Sequence, residues 1–129
     1  MSSATPLRTF QPETLELLEA EKEVRIRTRR PDGSRVRTIV WIVVVHGRAY
    51  VRSWRGERGY WYQAAREYPN DVSVVVRGRE IPVRAVHVTD EASIAECSSG
   101  LLAKYARSRS TPAMVDERVL GATLRLDPR

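Results

Sequence analysis

From residue 35 to residue 45 the chain reads RVRTIVWIVVV, which from Val36 is an apolar run rich in Val and Ile broken only by Arg37 and Thr38. Continuous Val- and Ile-rich runs of this kind predict a strand buried on both faces. His46-Gly47 then supplies a reversal, the glycine being able to take the positive φ of a two-residue hairpin. Arg48 to Ser53 reads as the return strand, with Ala49, Val51 and Ser53 alternating against Tyr50, Arg52 and Trp54. Upstream, Val24, Ile26 and Thr28 alternate with Arg25, Arg27 and Arg29, the period of a half-exposed strand. The turn Pro31-Asp32-Gly33-Ser34 leads it into the central run, so the first three strands are expected to form a meander.

The flanks follow the same logic. Pro12 suits the first position of a helix ending near Glu21, with Gln11 as N-cap and Phe10 and Leu15 as a hydrophobic staple. Trp61, Ala64, Ala65 and Tyr68 share one face of a short helix over 60–68. Val72, Val74 and Val76 begin a fourth strand, Gly78 turns it, and a fifth runs from Ile81 to Val88, with Pro82 marking an edge or a bulge. Thr89-Asp90-Glu91 opens a helix carrying Ile94, Cys97, Leu101, Leu102 and Tyr105 on one face. Its Ser98-Ser99-Gly100 centre predicts a weak point or kink. Residues 107–118 read as a polar loop, and Ala122, Leu124 and Leu126 as a last strand. The order fits a mainly β protein with peripheral helices, a six-stranded, mostly antiparallel barrel over 10–129, behind a disordered stretch 1–9.

At 129 residues the chain is expected to form one domain. It holds no apolar run near the roughly 20 residues of a membrane helix and no secretory h-region at its start. A single cysteine, Cys97, leaves no internal disulfide. The cytoplasm is the expected location. The net charge of +6 is uneven: residues 24–84 carry 14 arginines against five acids. Such a field points to an anionic partner, although the bias of 20 Arg to 2 Lys is also what a GC-rich genome produces.

Candidate chemistry gathers after the hairpin. Arg52, Arg55 and Arg58 stand among Trp54, Tyr60, Trp61 and Tyr62, loosened by Gly56 and Gly59. Guanidinium forks match phosphate oxygens, so these arginines, with Arg37, are read as a phosphate clamp. Trp54 and Tyr62 offer a wall for a planar ring, while Trp61 is read as filling the barrel mouth. His46 and His87, 41 residues apart with no clustered carboxylates or cysteines, make a poor metal site, and Cys97 reads as a small hydrophobe.

The run Trp41 to Ser53, followed by Arg55-Gly56, the Trp-Tyr helix, Glu67-Tyr-Pro-Asn and Val83-Arg-Ala-Val-His-Val-Thr-Asp90, resembles the split β-barrel, pyridoxamine-phosphate-oxidase-like flavin-binding proteins. The nearest likeness is to the deazaflavin-dependent nitroreductases and an uncharacterised actinobacterial family beside them. The resemblance covers residues 12–127 and implies a homodimer with FMN or a deazaflavin coenzyme in the groove between barrels. It places Arg37, Ser53, Arg55 and Arg58 at the coenzyme phosphate, the backbone of Val43 to Val45 beside the ring, and Trp54, Tyr60 and Tyr62 on the substrate face. Where the oxidase pattern has a lysine after its apolar run, this chain has Ile42 and Val43. Three functions stay open: a reductase of a small aromatic or quinone-like substrate, a cofactor-free small-molecule binder or accessory biosynthetic protein, and a basic barrel binding single-stranded nucleic acid. The acidic helices and the lack of a nucleic-acid motif argue against the last.

Overall fold

The structure, a computed structural model, describes residues 9–129; the stretch 1–9, expected to be disordered, lies outside it except for Thr9. Helix α1 (Pro12–Ala20) precedes strands β1 (Val24–Arg29), β2 (Arg35–Val40), β3 (Val43–Val45) and β4 (Arg48–Arg52). A 3₁₀ turn, Gly56–Arg58, leads into α2 (Tyr60–Glu67), followed by β5 (Val72–Val76) and β6 (Arg79–His87). Helices α3 (Glu91–Lys104) and α4 (Thr111–Met114), a second 3₁₀ segment Glu117–Ala122 and β7 (Thr123–Pro128) complete the chain. The strands form one antiparallel sheet in the order β2-β1-β5-β6-β7-β4-β3.

The sheet has seven strands rather than the expected six because the central run breaks in two. Val40 ends β2 and Val43 opens β3, with only Trp41 and Ile42 between them, yet the two strands occupy opposite edges of the sheet. Three Cα steps reach at most about 11 Å, whereas seven flat strands would separate their edges by about 29 Å. The sheet must therefore curl until its edges approach, leaving a split barrel open at Trp41-Ile42. The break is pinned from outside. The Tyr105 hydroxyl lies 3.3 Å from both the nitrogen and the carbonyl oxygen of Ile42, and Lys104 Nζ donates to that carbonyl at 2.7 Å. The Trp41 ring stacks on Tyr105 at 4.0 Å.

Two further expectations change with this break. The first three predicted strands keep their expected pairings, β1 with β2 and β3 with β4, but the break sets these pairs at opposite edges of the sheet, so they form two hairpins rather than one continuous meander. Nor is the central run buried on both faces. As an edge strand, β2 turns Val36, Thr38 and Val40 toward the core and leaves Arg35, Arg37 and Ile39 exposed.

The inner face of the half-barrel holds Val24, Ile26, Val51, Val72, Val74, Leu124 and Leu126, plugged by Leu18 of α1 and by Trp61, Tyr62 and Ala65 of α2. A second apolar layer lies outside, where Cys97 and Leu101 of α3 and Tyr105 at its C-terminal end pack with Val43 and Tyr50. The predicted weak point in this helix is a packing device instead. Helix α3 runs unbroken, and a Cβ on Gly100 would meet Val45 Cγ2 at 2.7 Å and Val43 Cβ at 3.0 Å. The expected polar loop of 107–118 is also partly helical, with Pro112 in the first turn of α4. Pro82 sits inside the sheet. Its carbonyl accepts from Arg129 N just past the β7 ladder, so the missing N–H costs no strand pairing.

Candidate functional site

The two hairpin turns His46-Gly47 and Arg77-Gly78 take positive φ at both residues, the geometry that matches strand twist. The first sends β4 back across the barrel so that its end meets the split. There the side chains of Arg52 and Trp54, with Ile39, Val40 and Trp41 from the break, Trp61 from α2, Ser110 and Met114 beside and in α4, and Glu23, line a cleft of about 340 Å³. All three tryptophans of the chain face this one cleft. Ile39 and Trp54 on its rim are 56% and 60% exposed, an apolar lip of the kind that marks binding surfaces.

Arg52 is buried, and the clamp reading does not describe it. Its Nε donates to Thr123 Oγ1 (2.8 Å), Nη1 to Ser98 Oγ (2.8 Å) and the Met114 carbonyl (3.1 Å), and Nη2 to the Ile94 carbonyl (3.0 Å). It fastens α3 and α4 to the sheet. Burial holds its pKa below the ordinary arginine value.

Next to it, Ser53 is 1% exposed and its hydroxyl has no hydrogen-bond partner among the described residues. It lies beneath Gly59, the N-cap of α2, where a Cβ would approach the Ser53 hydroxyl to within 2.1 Å. Among the described residues no side chain caps α2, and uncapped first-turn N–H groups are the kind that bind an anion. Arg55 and Arg58 are exposed on the turn leading to it. Gly56, at φ +65°, makes the turn possible and would meet the Arg118 carbonyl at 3.3 Å if it carried a Cβ. Ser53, Arg55 and Arg58 thus all lie in the segment just before α2, Ser53 buried and the two arginines exposed.

The remaining sequence candidates lie elsewhere. Arg37 projects from β2 with its guanidinium 3.9 Å from Glu80. Tyr60 is 52% exposed at the start of α2 and does not line the cleft. Tyr62 is 2% exposed and turned inward, its hydroxyl against the Gly121 carbonyl and its ring edge-on to His87. The backbone expected beside a ring, Val43 to Val45, lies under α3, and Ile39 to Trp41 occupies the cleft instead. His46 contacts Glu96 and His87 contacts the Gly121 carbonyl. Burial pushes the Cys97 thiol up to about 11, which leaves it unreactive.

Sequence reasoning missed Trp41 and Met114. An uninterrupted strand over 35–45 would span about 36 Å, long for a domain of this size, and that length was the sign of a break at Trp41. Ser110-Thr111-Pro112 was a legible helix start. A wider hollow of about 550 Å³ lies beside Tyr105, near Glu19, Lys22 and Arg107. Its half-buried cation, Lys104, is occupied by the Leu18 and Ile42 carbonyls and by Glu19, which leaves the tryptophan cleft as the better candidate.

An antiparallel half-barrel split at one point, with helices plugging its inside and packing on its outside, is the split β-barrel of the pyridoxamine-phosphate-oxidase-like proteins. A FAD-binding protein of Mesorhizobium loti superposes with a TM-score of 0.63 over 98% of this chain and 93% of its own, at 18% identity. A protein of Listeria innocua provisionally described as a pyridoxamine 5′-phosphate oxidase gives 0.64 over 91% of each chain at 15% identity. An F420-H2 dependent reductase gives 0.62 over 83% of this chain and 95% of its own at 14% identity. The chain belongs to the DUF2255 family, described as uncharacterized proteins conserved in bacteria, whose profile matches residues 14–126. No curated protein matches it in sequence. Among the described residues no helix is long and apolar enough to cross a membrane.

Proposed function

We propose that this protein binds a flavin or deazaflavin coenzyme and reduces a small aromatic or quinone-like substrate as a homodimer. The observation that carries the reading is the partnerless Ser53 hydroxyl beneath Gly59 at the uncapped start of α2. An orphaned buried hydroxyl, free helix N–H groups and the exposed Arg55 and Arg58 form a donor set suited to a phosphate. The adjoining cleft supplies aromatic surface for a planar ring. The bound coenzyme would supply hydride chemistry. Ser53, Arg55 and Arg58 would anchor its phosphate, Trp41 and Trp54 would orient the ring, and the cleft walls would exclude water.

The cleft volume of about 340 Å³ is at the low end of the roughly 300–1,000 Å³ typical of ligand pockets. One barrel encloses a small molecule; a second copy completes the wall for a coenzyme. The same small volume favours the alternative reading, a cofactor-free binder of one aromatic compound. Difference absorbance of the purified protein titrated with FMN and with the deazaflavin coenzyme separates the two, with sedimentation to fix the assembly. Saturable micromolar binding to a dimer, followed by turnover of a quinone, supports the reductase. Failure of both coenzymes leaves the cofactor-free binder.

A further inference from the structure

Arg52 is a buried cation that meets no anion among the described residues. It is 2% exposed, and its partners are two hydroxyls and two backbone carbonyls, all neutral. Among the described residues it enters no ion pair within 4.0 Å. Taking a charge out of water without an opposite one is costly. A neutral amide could serve some of these acceptors without that penalty. Four of the five guanidinium N–H donors are used, leaving one on Nη2, and the residue lines the cleft beside Trp41, Trp54 and Trp61. Among the described residues the only carboxylate on the cleft wall is Glu23, which is solvent-exposed. A fixed positive charge with low-dielectric, aromatic surroundings attracts an anion strongly.

We propose that the cleft selects an aromatic carboxylate, its ring held among the tryptophans and its charge met by Arg52. This rests on the reading of the cleft as a ligand site and adds the charge and class of what it takes. The carboxylate completes the counter-charge that the fold omits, so binding of the acid stabilises the buried guanidinium as well as the ligand.

Calorimetric titration with 2-naphthoate and 2-naphthamide, which share a ring and differ in charge, tests this on the unaltered protein. The acid is expected to bind at least tenfold more tightly. Equal affinities, a preference for the amide, or no binding of either compound overturns the proposal. In Arg52→Gln the preference is expected to collapse, and in Arg52→Lys to persist in part. A preference retained in a folded Arg52→Gln protein also overturns it. Should that variant fail to fold by circular dichroism, the pair of ligands on the unaltered protein still decides. The coenzyme reading is judged separately. FMN binding without a preference for the acid removes only the Arg52 proposal; a preference for the acid with no coenzyme binding removes only the reductase.

Discussion

Replacing Gly59 with alanine probes the joint between β4 and α2 on which the site is built. The backbone there, at φ −60° and ψ 132°, accepts any residue, so the substitution carries no conformational strain. The cost is steric. The added Cβ would fall 2.1 Å from Ser53 Oγ and 3.3 Å from both Ser53 Cβ and the Gly56 carbonyl. Rotating the hydroxyl away relieves the first contact and leaves the other two, so α2 or the 3₁₀ turn must shift. Overpacking of this kind costs about 1–3 kcal/mol. Ser53→Ala alone should be nearly neutral, because its hydroxyl has no partner to lose. The double variant should recover part of the loss, giving a coupling of about 1 kcal/mol. Urea unfolding followed by circular dichroism measures all three. A Gly59→Ala protein as stable as the unaltered one, or purely additive effects, would refute the packing described for this joint.

Gly100→Ala sets two effects against each other: helix propensity gains about 1 kcal/mol, while the new Cβ strikes Val43 Cβ, which is fixed to the backbone, at 3.0 Å. The clash should win, lowering the thermal midpoint, and an increase would contradict the close seat of α3 on β3. Glu96 gives a pH signature. Burial raises its pKa, but hydrogen bonds from His46 and Tyr50 and the charge of Arg48 outweigh this and hold it below the ordinary 4.5. Because the folded pKa is depressed, its contribution is present above that ordinary value and lost as pH falls through the folded one. Glu96→Gln should therefore be less stable at neutral pH and show a flatter urea midpoint in the acid range; parallel profiles would count against the cluster. The Tyr50 hydroxyl, 2.7 Å from Glu96 and pushed up to about 12 by burial and that bond, stays protonated throughout.

Much of this architecture is written in local pattern. The alternation of Val24, Ile26 and Thr28, the X-Gly turns and the cap at Asp90, whose carboxylate accepts from Ser93 N at 2.9 Å, each specify an element through neighbouring residues. What escaped is non-local. Whether Val36 to Val45 is one central strand or two edge strands depends on Tyr105 and Lys104, some 60 residues away, gripping Ile42. The site divides the same way. Ser53, Arg55 and Arg58 are close in sequence and all lie just before α2. Arg52 stands beside Ser53 but faces outward under α3 and α4, where three of its four partners, Ser98, Ile94 and Met114, come from elements read as a kinked helix and a loop. Tyr62 was assigned to the ligand face because helix composition alone does not reveal which side of α2 enters the barrel.

The most direct test of the coenzyme reading is the intrinsic fluorescence of the three tryptophans, all of which line the cleft, during titration with FMN and with the deazaflavin coenzyme. Saturable quenching by one of them is predicted, with affinity falling severalfold or more when Arg55 and Arg58 are both replaced by alanine. Emission that never saturates with either coenzyme, or binding that the double replacement leaves unchanged, would contradict the phosphate site at the start of α2.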